Sequence, residues 1–292
     1  MPTMIYGAEV WYKKKCDMEQ YELAHRAAAK RIQWLPQNTH NDAILSLIGW
    51  LNVEAVVDKR QLIFVGSIVR LPKLSFPRQV FEYRYKCMPS SGLVKQYCDL
   101  LCMYNLKAEF DEWLDGTSDM TYVRWKKIVG NRVKDYHYSC WRIQMSGSKR
   151  LYMYKQVVMD IKPNVWWLLV KENHRTRKTI QSVIKLLCGV LAFRSFNEED
   201  NERQCLKCSN SDDETIEHVI MTCTHYSEIR YRYARHFEYF AIGFEDETQN
   251  VRKILGCEKE WVVYRWPYVR EGLELCAKFL HEVVQKRFYS ID

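Results

Sequence analysis

Apolar residues recur at three- and four-residue steps along most of the chain, the period of amphipathic helices. Asp17 can cap a first helix carrying Tyr21, Ala24, Ala28, Ile32 and Leu35 on one face, and Pro36 closes it. A short helix is expected over 42–48, with Gly49 where a C-terminal cap belongs. Asn52 then caps a longer one bearing Val53, Val57, Phe64, Ile68 and Leu71, stopped by Pro72. The stretch 75–91, punctuated by Pro77 and Pro89, reads as a connector. Helices are expected over 93–104 and 106–114, the second closed by Asp115-Gly116. Thr121 opens the most informative one, with Tyr122, Trp125, Val129, Val133, Tyr136 and Cys140 as its apolar stripe. Its opposite face carries Arg124, Lys127, Asn131, Lys134, Tyr138 and Arg142. Gly130 costs ~1 kcal/mol relative to Ala inside a helix, so a bend can form there. Further helices are expected over 150–160 and 176–191, and a last one over 269–288 with Val269, Leu273, Cys276, Leu280 and Val284 in line.

Composition agrees with a packed helical protein. Hydrophobic residues make up 47% and aromatics 14% of 292 positions, which excludes a disordered chain. Only 11 Gly and 7 Pro leave little material for many-turned β architecture. The longest strongly apolar run, 165–170, is too short to cross a bilayer, so no membrane association is expected. The first residues show neither a basic nor an apolar leader segment. An intracellular protein of nucleus or cytoplasm, not a secreted one, is the expectation. The 11 cysteines then read as thiols and metal ligands, not disulfides. Cys98, Cys102, Cys188 and Cys276 sit among apolar neighbours and are expected in the core.

The sharpest local signal is Cys205-Leu206-Lys207-Cys208 followed by His218 and Cys223. Two cysteines on a tight turn can both face one ion, and a histidine and a cysteine five apart complete a tetrahedron. Three thiolates and one imidazole close the coordination shell, the pattern of one structural Zn2+ without a catalytic water. His225 is an alternative fourth ligand, less well placed than Cys223. The competing reading makes Cys205 and Cys208 surface thiols and His218 an ordinary helix residue. Residues 209–213 form a polar turn, and 197–217 hold eight acidic residues against two basic ones.

The order of these features resembles the C-terminal part of reverse transcriptases of non-LTR, LINE-type retrotransposons. Tyr6-Gly7-Ala8-Glu9-Val10-Trp11 resembles the stretch leading from polymerase palm to thumb. The helix through 24–35, Asn41-Asp42-Ala43-Ile44-Leu45 and Gly49-Trp50-Leu51 are similar to that family's thumb. The cysteine and histidine ligands, with Glu214, Glu217, Tyr226 and Arg230, resemble its terminal zinc knuckle. The resemblance implies RNA-directed DNA polymerase as the parent activity. A polymerase holds two metal ions on carboxylates, commonly an Asp-Asp turn after a strand. Here the only Asp-Asp, Asp212-Asp213, lies in the knuckle's turn, and only five residues precede Tyr6. No nuclease motif follows the knuckle. The expectation is a binding portion of such an enzyme, with no catalytic residue of its own.

Charge sharpens that expectation. Residues 121–180 hold 14 Lys and Arg against 3 Asp and Glu, a local +11 in a chain of net +8, leaving −3 elsewhere. The same segment holds nine Trp or Tyr. Cations neutralise phosphates and aromatics stack on unpaired bases, so RNA or DNA is the expected partner. Arg124, Lys127, Lys134 and Arg142 form one candidate contact, raised by the resemblance above charge alone. Arg175, Arg177 and Lys178 form a second at a helix start, where positive charge opposes the helix dipole. Lys13, Arg26 and Lys30 form a third. Solvated helix faces are the competing reading, and Trp125, Tyr136 and Trp166 are expected in the core. The acidic surroundings of the knuckle favour an architectural role or a protein partner there. A zinc-stabilised helical interaction module with no nucleic-acid role is therefore the alternative function.

The overall expectation is a mainly α fold: an irregular helical bundle, a small Cys-Cys-His-Cys zinc knuckle and a C-terminal helix. The linear division is a thumb-like region over 1–75, a basic helical connector over 76–195, the knuckle over 196–230 and a helical region over 231–292.

Overall fold

The computed structural model describes residues 5–90, 92–196, 200–208, 212–243 and 246–288. It is 72% helical, and no strand occurs among the described residues. Residues 197–199 of the acidic run and 209–211 of the polar turn lie outside the described residues.

A 3-10 turn, Ala8–Val10, precedes α1 (Lys15–Ile32), α2 (Asn41–Leu47) and α3 (Val53–Val69). Gly49 follows α2 in the left-handed region at φ 70°, as the cap expectation requires. Asn52 caps α3 by accepting from the Ala55 amide at 2.9 Å. Most of the expected connector is instead a helix, α4 (Phe76–Cys87). Ser75 is its extended N-cap residue and Pro77 sits in its first turn, where a missing N–H costs nothing, so the proline starts this helix. Next come α5 (Gly92–Met103), α6 (Lys107–Asp115), and the long α7 (Tyr122–Ser146), which continues through Gly130. The second half of the chain holds α8 (Tyr152–Val157), α9 (Val165–Glu172), α10 (Arg177–Leu187), α11 (Asp200–Arg203), α12 (Ser227–Tyr239), α13 (Glu247–Ile254), α14 (Glu258–Trp261) and α15 (Trp266–Phe288).

The chain divides into two compact units, Met1–Ala28 with Leu51–Ile143, and Ala29–Trp50 with Gln144–Asp292. This interleaved division does not follow the linear four-segment order. The reason is where α2 finds its partners. Tyr154 donates its hydroxyl to the Ala43 carbonyl at 3.0 Å, and the Asn164 amide bonds the Leu47 carbonyl at 2.8 Å.

In the first unit α3 packs against α4 and α5, and its Leu62, Val65 and Val69 join Tyr97, Leu101, Phe110, Trp125, Val129 and Val133 in one buried cluster. Burial of such side chains contributes about 1.5–3 kcal/mol each. The Trp125 indole donates to the Leu62 carbonyl at 2.9 Å. It lies against Gly66, where an added Cβ would stand 2.2 Å from the ring. Arg78 of α4 donates to the Val69 carbonyl at 2.6 Å and the Leu71 carbonyl at 2.9 Å, satisfying groups at the end of α3.

Three expectations about faces are corrected. The buried side of α1 runs through Met18, His25, Ala29 and Gln33, while Ile32 is exposed. Gln33 is tolerated there because its amide donates to the Ile44 carbonyl at 2.8 Å. Tyr136 is 40% exposed, its ring edge-on to Tyr104, so only Trp125 and Trp166 of the three expected aromatics are core. Cys102 is exposed, on the solvent side of α5, whereas Cys188 and Cys276 are buried as expected.

In the second unit α10 packs along α15, with Ile180, Val183, Ile184 and Leu187 on one and Leu273, Cys276, Leu280 and Val284 on the other all buried. α9 anchors through Trp166, whose indole donates to the Leu255 carbonyl at 2.9 Å. No helix among the described residues is long and apolar enough to cross a membrane.

Candidate metal centre and basic faces

Cys205, Cys208, His218 and Cys223 meet in the second unit, with one ligand atom from each lying within 4.8 Å of the others. The sequence places them by two local devices. Gln204 and Asp213 form an antiparallel bridge, with the Cys205 amide on the Asp212 carbonyl and the Glu214 amide on the Arg203 carbonyl, both at 2.8 Å. That hairpin holds the first cysteine at its base. The second device is a π turn, His218–Thr222, closed by the Cys223 amide on the His218 carbonyl at 2.7 Å. In an α-helix residues five apart lie about 140° round the axis. The wider i→i+5 winding returns them towards one face, and so His218 and Cys223 converge. The short helical segment that carries His218 is thus wound as a π turn, a distinction periodicity does not carry.

The separations suit a tetrahedral ion. Metal–sulfur bonds of about 2.3 Å put two thiolates about 3.8 Å apart, and thiolate and imidazole about 3.6 Å apart. Cys205 and Cys223 Sγ are 3.8 Å apart, and Cys208 Sγ is 3.4 Å from His218 Nε2. Burial pushes the Cys223 thiol up to about 12, while the His225 amide at its sulfur acts the other way. Cys205 is raised by burial too, opposed by the Lys207 amide. Buried thiols that receive backbone N–H groups are arranged as acceptors, which a bound cation requires. His218 turns its other ring nitrogen, Nδ1, to Thr222 Oγ1 at 3.2 Å and to Asp212 Oδ2 at 3.5 Å. Such outer partners fix the tautomer that leaves Nε2 free to ligate. The group can therefore hold one metal ion. His225 stands outside it, edge-on to Tyr226.

Side chains beyond the four candidate ligands brace this centre. Glu214, 1% exposed, accepts from the Arg287 guanidinium of α15 at 2.7 Å and from the Arg194 amide at 3.1 Å. Arg230 donates to the Cys223 carbonyl, and Tyr152 to the Glu217 carboxylate. Glu214, Glu217 and Arg230 are residues that the zinc-knuckle resemblance already names, whereas nothing in the sequence marks Arg287, Arg194 or Tyr152 as their partners.

The basic residues fall into different situations. Arg124, Lys127, Lys134 and Arg142 are all exposed on α7, opposite the buried Trp125, Val129 and Val133. Arg124 also pairs with Asp119 at 3.2 Å, and Arg142 lies 5.8 Å from the Tyr138 ring centre. Arg175, Arg177 and Lys178 are exposed around the start of α10. The third cluster does not form one surface. Lys30 is buried, 7% exposed, with its ammonium on the Gln37 carbonyl. Lys13 pairs with the buried Asp58, which also accepts from Tyr104 at 2.7 Å. Arg26 sits half-buried beside Glu22 at 3.8 Å. Lys13 and Arg26 line a groove of about 670 Å³ shared with Glu19, Glu22 and Glu54, so acidic groups stand among the cations.

No protein-family model matches the chain, no curated protein matches it, and no solved structure matches it.

Proposed function

We propose that this chain is the nucleic-acid-binding C-terminal portion of a retrotransposon-type RNA-directed DNA polymerase, stabilised by one structural zinc ion. It supplies grip and architecture, and the polymerase chemistry belongs to a palm domain outside these residues. The observation that carries the reading is the two-sidedness of α7: Trp125, Val129 and Val133 anchor it while Arg124, Lys127, Lys134 and Arg142 face solvent. A helix so mounted can lie along a phosphate backbone without leaving its own core. The order of motifs from Tyr6 to Cys223 supports the family assignment. Zinc is the ion chosen by the donor set, because three thiolates and an imidazole in a closed tetrahedron suit a borderline-soft, redox-inert cation.

The test is a salt titration of binding to primer–template duplex and to structured RNA. Affinity falls steeply as salt rises. Changing the four α7 cations together to glutamine lowers it across sequences and flattens the salt slope by about one per lost phosphate contact. Absence of binding even at low ionic strength overturns the reading.

A second reading, a zinc-stabilised protein-interaction module, is favoured by the carboxylates near the basic face: Asp119 pairs with Arg124, and Glu109 with Arg132 at 3.6 Å. It predicts a protein partner and indifference to RNA in the same titration.

A further inference from the structure

Trp34 closes α1 in an unusual way. The Leu35 amide bonds the Lys30 carbonyl at 2.9 Å and the Trp34 amide bonds the Arg31 carbonyl at 3.2 Å. Those two bonds make a Schellman cap, whose left-handed residue is ordinarily glycine or asparagine. Here it is a tryptophan at φ 51°. A bulky side chain in that region is strained, and nothing in the capping bonds calls for a ring.

The ring is nevertheless held in place and presented. Trp34 is 40% exposed, the Gln181 side-chain amide holds its carbonyl at 3.2 Å, and the Arg177 guanidinium lies 3.0 Å from its ring centre. A guanidinium stacked on an indole is already ordered, while its in-plane N–H groups stay available to oxyanions. Arg175 and Lys178 are exposed on either side of Arg177 in sequence. None of the three makes an ion pair with a carboxylate among the described residues. Nearby Glu172 is engaged elsewhere, with Trp266 at 3.0 Å and Arg270 at 3.8 Å. Part of the α7 face is neutralised by its own acids, and the groove around Lys13 is lined by three glutamates. The α10 cluster is therefore the more available set of cations.

We infer that Trp34, Arg175, Arg177 and Lys178 form a second nucleic-acid contact, specific for an unpaired strand. Phosphates sit on the three cations and a base stacks on the exposed indole surface. The inference rests on the nucleic-acid reading above and adds the strand type and the residues. A duplex keeps its bases stacked on each other and offers the indole no free face; an unpaired strand does.

The test uses the full zinc-loaded chain, a short fluorescein-labelled single-stranded RNA, and the same strand annealed to its complement. Trp34→Gly is the decisive variant, because glycine suits the left-handed cap and the variant keeps its fold, checked by an undiminished melting temperature. It lowers single-strand affinity about ten-fold, the order expected for losing one base–aromatic stack, and leaves duplex affinity unchanged. Arg177→Gln weakens single-strand binding as well. Photocrosslinking of 4-thiouridine RNA places an adduct on the peptide containing Trp34. Trp34→Gly binding the single strand like the parent, or losing both probes equally, overturns this contact. In either case the parent's salt-sensitive binding leaves the broader reading standing. A parent chain that binds neither probe removes both.

Discussion

The carboxylate of Glu214 and the guanidinium of Arg287 meet at 2.7 Å across 73 residues of sequence, and the acid is almost wholly buried. Glu214 belongs to the hairpin that positions Cys205, and Arg287 to the last turn of α15. The candidate metal centre is thus fastened to a helix that also packs on α10, and an ion held there would be coupled to the core of its unit.

Removing one partner of this pair leaves a buried charge without compensation. Arg287→Met is expected to cost about 3–5 kcal/mol, and Arg287→Met with Glu214→Leu less than the two single changes summed. Urea unfolding of the three variants measures this. Strict additivity would contradict the coupling.

Metal analysis of freshly purified protein is expected to give about one zinc per chain, and Cys205→Ser or His218→Ala to abolish it. In zinc-finger peptides the ion contributes about 10–16 kcal/mol, so chelation should loosen the 200–223 region and expose it to proteolysis. Limited digestion with and without chelator reads this directly. Stoichiometry near zero would falsify the centre.

Gly66→Ala is expected to destabilise the first unit by about 1–3 kcal/mol or more, because a methyl group there would meet the Trp125 ring at 2.2 Å. Trp125 cannot retreat without breaking its bond to the Leu62 carbonyl. Thermal melts of parent and variant test it. An unchanged melting temperature would mean the indole has somewhere else to go.

His25 predicts an acid sensitivity. Burial, with Arg26 adding to it, lowers its pKa from 6.5 to about 4, so the folded state holds it neutral. The unfolded chain takes up the proton first as pH falls. Stability from this residue is complete above about 6.5 and declines progressively as pH drops through about 4. His25→Leu should flatten the stability curve across that window relative to the parent, in denaturant melts at a series of pH values. Parallel curves would argue against it.

Much of the fold follows from local order. The helical period, the Asn52 cap and the left-handed Gly49 depend on interactions within a few residues, and the structure contains them where the pattern places them. The four residues of the candidate metal centre were legible for the same reason: thiols three positions apart and a His–Cys pair five apart have few geometric options, even though the turn between the pair is π rather than α. Proline misled at Pro77, because one residue type starts helices as well as ending them, and position within the turn decides which.

Partners far apart in sequence could not be read this way. Whether a lysine is a surface cation depends on which carbonyl or carboxylate the fold brings to it. Lys13 ends on the buried Asp58, 45 residues away, and even Lys30, whose Gln37 acceptor is only seven residues on, meets it through the turn that follows α1. Residues 29–50 join the later half of the chain because α2 docks on Tyr154 and Asn164, and no local pattern encodes that pairing. The meeting of Trp34 with Arg177 is of this kind too. Helical period and ligand spacing are short-range properties of the chain; the fate of each charge was decided only when burial set the price of leaving it unpaired.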